Sequence, residues 1–467
     1  MKIAVIGTGY VGLVSGVCFA EIGHDVTCVD KDPAKIDSLR QGRSPIYEDG
    51  MNEMLASNIA TGRLSFTQCI QDAVRNADAV FIGVGTPTRR GHGSADLSYV
   101  YAAAAEVAHA LTGHAVVVTK STVPVGTNRK VEQLIRDIRP DLAFDVASNP
   151  EFLSEGVAIR DFMAPDRIVV GAETRTARSV MQALYAPLTD QGYPIVFTDL
   201  NSAELTKYAS NAFLATKVAF VNEMAALCEQ TGADIGEIAK GMGLDARIGD
   251  RFLQAGPGFG GSCFPKDTRA LARTGQDYAR PCRIVETVIQ SNEDTKQRMV
   301  DKILMLLDDD VIGKKIAVFG ATFKPDTDDM RDAPSLTVVP ALAGRGAEIT
   351  MVDPCGRAEG EALLPRADWC TDPYEAAQGA DLIVVLTEWD IFRSLDLGKL
   401  AGCMKQARMA DLRNINDAEA SISAGFEVYA SVGRQDQFNT APNVTCFAKP
   451  ASKRVPVKAT PALRTVA

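Results

Sequence analysis

The chain has 467 residues, a length that suits about three domains, and its 46% hydrophobic content supports sizeable cores. A formal charge of −10 argues against nucleic acid as a partner, and no apolar run approaches the ~20 residues of a bilayer span. Ten cysteines follow neither zinc-type nor CxxC spacing, so Cys18, Cys28, Cys69 and Cys228, in apolar helix or strand contexts, read as buried thiols of a reducing compartment. With a strand starting at once after Met1 and no signal peptide, a cytoplasmic location is expected.

The first element runs Lys2-Ile3-Ala4-Val5-Ile6 and enters Gly7-Thr8-Gly9-Tyr10-Val11-Gly12, then an apolar helical stretch and a second strand closed by Asp30. This is a dinucleotide-binding fingerprint in its proper setting. Gly7 allows the tight turn, Gly9 lets backbone approach a pyrophosphate, Gly12 permits close helix packing, and the helix N-terminus favours phosphate. A carboxylate at Asp30 suits an adenosine ribose diol and predicts NAD over NADP, with Lys31 and Lys35 as opposing charges nearby.

Strand-like runs at residues 78–84, 115–119 and 145–148 continue the alternation to about residue 200, as in a doubly wound parallel sheet. Such sheets bind ligands at the carboxyl ends of their strands. The polar segments there, with Thr86, Thr122 and the run Asn149 to Gly156, are therefore site candidates, although the threonines also suit ordinary turns and caps. From about Asn201 long helices take over. Lys207 and Asn211, four apart, share a face among Ala and Phe and need partners there.

Residues 315–320, 348–354 and 380–387 repeat the pattern of the first strands. The turn Gly320-Ala321-Thr322-Phe323-Lys324-Pro325 lacks GxGxxG, so this second unit is expected either to hold a nucleotide through a lysine or to serve packing alone. From Lys449 to Ala467 come five basic residues, three prolines and no acid, which reads as a disordered tail. The expected organisation is thus α/β: two Rossmann-like doubly wound parallel-sheet domains (1–200 and 301–448) joined by a central long-helix domain (201–300), with a tail at 449–467.

Cys263 closes the glycine-rich loop Gly258-Phe259-Gly260-Gly261-Ser262, and Phe264-Pro265-Lys266-Asp267 reads as a helix start. The helix dipole and Lys266 are expected to favour thiolate at Cys263. A thiol nucleophile sharing a chain with a hydride acceptor implies an alcohol oxidised through a trapped aldehyde to an acid.

Over nearly its whole length the chain resembles the UDP-glucose 6-dehydrogenases. The motifs are Ser121-Thr122-Val123-Pro124-Val125-Gly126, Asn149-Pro150-Glu151-Phe152-Leu153, the Lys207/Asn211 pair, Gly260 to Asp267, and Phe323-Lys324-Pro325 followed by Asp329-Met330-Arg331. The resemblance implies a four-electron oxidation of UDP-glucose to UDP-glucuronate with two NAD⁺, through a thiohemiacetal and thioester on Cys263. It further implies that Lys207 and Asn211 stabilise the oxyanion and position the sugar, with Asp267 and Glu151 as acid/base partners and Thr122 and Glu155 near the nicotinamide. Phe252, Leu253, Gln254, Ala255, Gly256, Gly260, Phe323 and Lys324 would hold the UDP-sugar, with Phe152, Leu153 and Ser154 beside it. Lys266 and Arg331 would reach NAD alongside Tyr10, Val11, Lys35 and Thr86, and Arg247 would cross the interface of a homodimer built on the central helix. Leu412 departs from the family's usual Gly, which puts the reach of Arg413 to the nucleotide in question.

Other dehydrogenases fit less well. Hydroxy-acid dehydrogenases need no cysteine, all four histidines precede residue 115, zinc ligands are lacking, and no tyrosine is followed four positions later by lysine. A non-catalytic NAD-binding module would leave Cys263 without a purpose. The nearest rival is a sister enzyme acting on GDP-mannose or a UDP-N-acetylhexosamine by the same chemistry.

Overall fold

The computed structural model describes residues 1–89 and 93–439, so the tail expected at 449–467, and His92, lie outside the described residues. An eight-stranded sheet is built from β1 (Lys2–Ile6), β2 (Asp25–Val29), β3 (Leu64–Thr67), β4 (Ala79–Ile82), β5 (Val116–Thr119), β6 (Asp145–Ser148), β7 (Ile168–Gly171) and β8 (Ile195–Thr198), in the order β3-β2-β1-β4-β5-β6-β7-β8. Central strands β4 and β5, Ala-Val-Phe-Ile and Val-Val-Val-Thr, are buried at every position because helices cover both faces. The sheet is not wholly parallel as expected: β7 runs antiparallel to β6, bridged at Ser148 and Gly171.

A seven-stranded sheet follows, from β9 (Lys315–Phe319), β10 (Glu348–Val352), β11 (Ala367–Trp369), β12 (Leu382–Val385), β13 (Arg408–Asp411), β14 (Val428–Ser431) and β15 (Gln437–Phe438), in the order β11-β10-β9-β12-β13-β14-β15. It repeats the first sheet down to single bonds. The N–H groups of Gly7 and Gly320 reach the carbonyls of Val29 and Val352 at 2.7 and 2.8 Å, and those of Lys2 and Lys315 reach the carboxylates of Asp78 and Asp381 at 2.8 and 3.0 Å. Gly7 and Gly320 have φ of +98° and +97°, which a side chain would strain.

The two sheets are bridged by the helix Leu200–Thr231, and the helices Phe264–Asp277 and Arg283–Leu306 pack on it. Glu204, 2% exposed, ties the long helix to the first half by accepting from the N–H groups of Gly126 and Asn128 at 2.6 and 2.7 Å. Farther along, Lys302 bridges Glu229 and Asp436, 3.1 and 3.4 Å away. Cys18, Cys28 and Cys228 are buried as expected, whereas Cys69 is half-buried because it precedes a short helix at the surface.

Candidate active site

Cys263 immediately precedes the helix Phe264–Asp277. Its loop is clamped by Asn292, whose carboxamide accepts from the Phe259 N–H at 2.8 Å and donates to the Phe259 carbonyl at 3.0 Å. The Gly261 N–H donates to the Arg331 carbonyl at 2.7 Å. Gly261 has φ +80°, and a Cβ there would lie 2.7 Å from the Phe323 ring. Absence of a side chain at Gly261 thus lets the loop of the second sheet pack closely against the Cys263 loop.

The charges around the thiol are buried and paired. Lys207 Nζ lies 3.0 Å from Glu151 Oε1, with side chains 3% and 4% exposed. Asp267, 1% exposed, accepts from Asn211 Nδ2 at 2.6 Å and pairs with Lys266 Nζ at 2.5 Å. Burial opposes the charge on Lys207, but Glu151, Cys263 and Asp267 outweigh it and hold the ammonium's pKa above its ordinary value. Glu151 is the mirror case: burial disfavours its charge, but Lys207, the Leu153 N–H and Lys120 together outweigh it, so its pKa falls. Lys207 is therefore not a solvated lysine.

The expectation for the thiol needs correction. Burial pushes the Cys263 pKa up, opposed by Lys207 and reinforced by Glu151 and Asp267. Lys266 supplies no activating charge because Asp267 neutralises it. Desolvation is the largest influence on this thiol, and it acts against the expected thiolate.

A cavity of about 520 Å³ brings together Cys263, Lys207, Asn211, Glu151, Phe152, Leu153, Ser154, Glu155, Phe252, Gly260, Phe323 and Lys324, drawn from both sheets' loops and the central helix. Phe252 holds φ +64° there, a strained conformation for a bulky residue. Lys324 is half-buried with no ion pair among the described residues; burial lowers its pKa, against Glu155 and Cys263. Leu253, Gln254, Ala255, Gly256, Arg247 and Arg413 do not line this cavity. Arg247 closes on Asp245 at 2.7 Å, its side chain 89% exposed. Arg413 nevertheless borders it: its guanidinium donates to the Phe323 carbonyl at 2.8 Å, while Leu412 is fully buried in the core.

The cavity wall also contains Lys120, which opens a polar segment among the site candidates, and Arg167, which the sequence did not single out. Lys120, 5% exposed, donates to Asn149 Oδ1 at 3.0 Å and to the Tyr185 hydroxyl at 3.4 Å, and burial pushes its pKa down to about 8. Arg167 stacks 3.5 Å from the Phe152 ring centroid. Lys120 directly follows β5, and that position at a strand's carboxyl end was the available signal.

Glu155 joins the halves: it accepts from Ser262 Oγ at 2.9 Å and Thr327 Oγ1 at 3.1 Å, with Arg331 at 3.5 Å. Burial, then Asp329, push its carboxyl pKa up to about 7. Arg331 itself is held by Asp329 at 2.8 Å. Thr86 Oγ1 donates to the Thr122 carbonyl at 3.0 Å, which joins the ends of neighbouring strands.

The dinucleotide turn fits a pyrophosphate. A Cβ on Gly9 would meet nothing within 4 Å, whereas one on Gly12 would lie 2.0 Å from the Gly7 carbonyl oxygen. One glycine leaves space and the other makes the packing possible. Asp30 Oδ2 accepts from Thr8 N–H and Oγ1 at 2.9 and 2.7 Å, while Oδ1 accepts only from Asp32 N–H at 3.1 Å. Its carboxylate is half-buried and keeps lone pairs for a ribose diol. Lys31 is drawn away to Glu106 at 2.6 Å, and Lys35 favours the Asp30 charge from a distance. Val11 continues the turn into the helix.

Models of the UDP-glucose/GDP-mannose dehydrogenase family match three stretches: the NAD binding domain over residues 1–189, the central domain over 201–294 and the UDP binding domain over 317–418. The chain is 54% identical over 438 residues to a UDP-glucose 6-dehydrogenase of Rhizobium meliloti, covering 93% of this chain and 100% of the relative. It is 45% identical to the UDP-glucose 6-dehydrogenase TuaD of Bacillus subtilis, covering 96% of each. Among solved structures, a UDP-glucose dehydrogenase from the archaeon Pyrobaculum islandicum superposes with a TM-score of 0.86 at 37% identity, covering 92% of this chain and 97% of that one.

Proposed function

The chain belongs to the UDP-glucose/GDP-mannose dehydrogenase family and is an NAD-dependent dehydrogenase, and from that premise we propose that it oxidises UDP-glucose to UDP-glucuronate through a thioester on Cys263. The observation that carries this reading is the meeting of Cys263 with the Lys207–Glu151 pair and Asn211 in one cavity between the two halves. Bound NAD⁺ supplies the hydride acceptor for each oxidation.

The buried Lys207 ammonium and the Asn211 amide stabilise the oxyanion as the C6 alcohol passes its proton through water to Asp267, a service worth ~3 kcal/mol per well-placed donor. Cys263 sulfur then adds to the C6 aldehyde carbon, its proton leaving and the carbonyl oxygen gaining one, to give a thiohemiacetal. After the second oxidation C6 is a thioester. Glu151, held ionised by Lys207, takes a proton from the attacking water; the C–S bond breaks, thiol returns and UDP-glucuronate leaves. Lys324, Phe323 and Gly260 hold the nucleotide, with Phe252 and Arg413 beside them, and the units 1–200, 201–300 and 301–448 serve cofactor, chemistry and UDP-sugar.

The active particle is a homodimer. Phe213, Phe220 and Leu227 lie seven residues apart along the central helix and are 67%, 45% and 54% exposed, a stripe that association would bury. Its setting is the cytoplasm, which suits the nine described cysteines, all free. Two NADH per UDP-glucose, with sustained turnover lost in Cys263→Ser, supports the route; one NADH, or an indifferent mutant, overturns it. Sedimentation of only ~50 kDa particles at micromolar concentration would exclude the dimer.

A further inference from the structure

Glu48 does not line the cavity, yet it is 8% exposed and touches two parts of the machinery. Its Oε2 accepts from the Tyr10 phenol and from the Gly156 N–H, the latter at 2.8 Å; its Oε1 accepts from the Ile159 N–H at 3.2 Å. The Gly156 N–H is shared, reaching the Tyr10 oxygen at 2.8 Å as well. Tyr10 is the first residue of the helix Tyr10–Glu21, which receives the dinucleotide turn. Gly156 follows Glu155, whose carboxylate holds Ser262, the neighbour of Cys263, and Thr327 of the second half. At Gly156 φ is +84°, and a Cβ would lie 2.4 Å from the Asp326 carbonyl oxygen. This backbone is wedged between the halves, and Glu48 fastens it to the first.

We propose that Glu48 is a positioning residue for both oxidations: with Tyr10 it fixes the dinucleotide-binding helix to the Glu155 segment and so sets the separation of cofactor and nucleophile loop. The inference rests on the functional reading above. A buried carboxylate persists where several donors satisfy it, and all its donors here are Tyr10 and the backbone of the segment being positioned. Burial, followed by the bond to Glu48, pushes the Tyr10 phenol pKa up, which keeps it a donor. Hydride transfer is steeply sensitive to placement.

Glu48→Gln cannot accept all three bonds, and Tyr10→Phe removes a single hydroxyl. Each is expected to lower kcat on the order of 10-fold, and for Glu48→Gln Kd for NAD⁺, read by fluorescence titration, stays within about 2-fold. The isotope effect with UDP-glucose deuterated at C6 rises, and the double variant is no worse than the poorer single one. Should Glu48→Gln fail to fold, Tyr10→Phe carries the test. A fall in Tm and active fraction with an unchanged isotope effect, an unchanged kcat, or additive losses overturns the inference. Wild type assayed alongside separates the two readings: no NADH from it overturns the functional reading and this inference with it, whereas active wild type with unaffected variants overturns this one alone.

Discussion

The two sheets share strand order, a left-handed glycine after the first strand and an aspartate after the second, but they use these parts oppositely. In the first half residues 7–9 connect β1 to its helix; in the second, residues 320–334 separate β9 from the helix Ser335–Ala343. The short connection presses a helix N-terminus against open space for a pyrophosphate. The long one carries Phe323, Lys324, Thr327 and Arg331 out to the Cys263 cavity and Glu155. Asp30 keeps lone pairs for a ligand, whereas Asp353 is 7% exposed and consumed internally: it accepts from Ala321 N–H, Thr322 N–H and Oγ1, and Trp389 Nε1 on one oxygen, and from Cys355 and Gly356 N–H on the other. One duplicated scaffold thus leaves an acid partly unsatisfied in one copy and uses it to shape a loop in the other.

Removing the interior acid should do most damage. Asp353→Ala leaves its donors unsatisfied and is expected to cost about 4 kcal/mol in denaturant unfolding; a loss below ~1 kcal/mol would erase the distinction between the two aspartates. Lys324→Met should raise KM for UDP-glucose ~30-fold, equivalent to about 2 kcal/mol of charge-assisted bonding, with KM for NAD⁺ unmoved. Asp30→Ala should do the reverse, weakening NAD⁺ ~10-fold in a binding titration with little change in unfolding midpoint. If each altered both ligands equally, the division of labour would fail.

The smallest effect is the pH dependence of Glu155. Its folded pKa of about 7 lies above the ordinary carboxylate value of 4.5, so ionisation penalises the folded state. The penalty grows as pH rises through 4.5 and is complete above 7. Glu155→Gln should therefore stabilise the protein by on the order of 1 kcal/mol at pH 8 and progressively less towards pH 4.5. A gain independent of pH in thermal melts would contradict this.

Much of this was legible along the chain. Glycine spacing, strand alternation and the internal repeat disclose both sheets, because backbone requirements and burial periodicity are local. Cys263, Lys207, Asn211 and Glu151 were legible as residue types in their motifs. Which charge meets which was not: Lys266 is the cation nearest Cys263 in sequence, yet Asp267 neutralises it, and Lys207, on another helix, does the opposing. Glu48 gave no sign because its partners Tyr10 and Gly156 lie 38 and 108 residues away. Asp353 occupies the same sequence position as Asp30, and only the loop folded around it shows that it is unavailable.

The cavity wall is contributed by the loops of both sheets and by the helix that connects them. On the proposed reading, a nucleotide sugar filling it is a cross-link as well as a substrate, touching both halves at once. By mass action, ligand at 100 times its Kd adds ~2.7 kcal/mol to the stability of whatever it binds in the folded state, and here that gain is shared across the seam. Occupancy by the proposed ligand is therefore expected to slow proteolysis along that seam, which limited digestion with and without UDP-glucose checks.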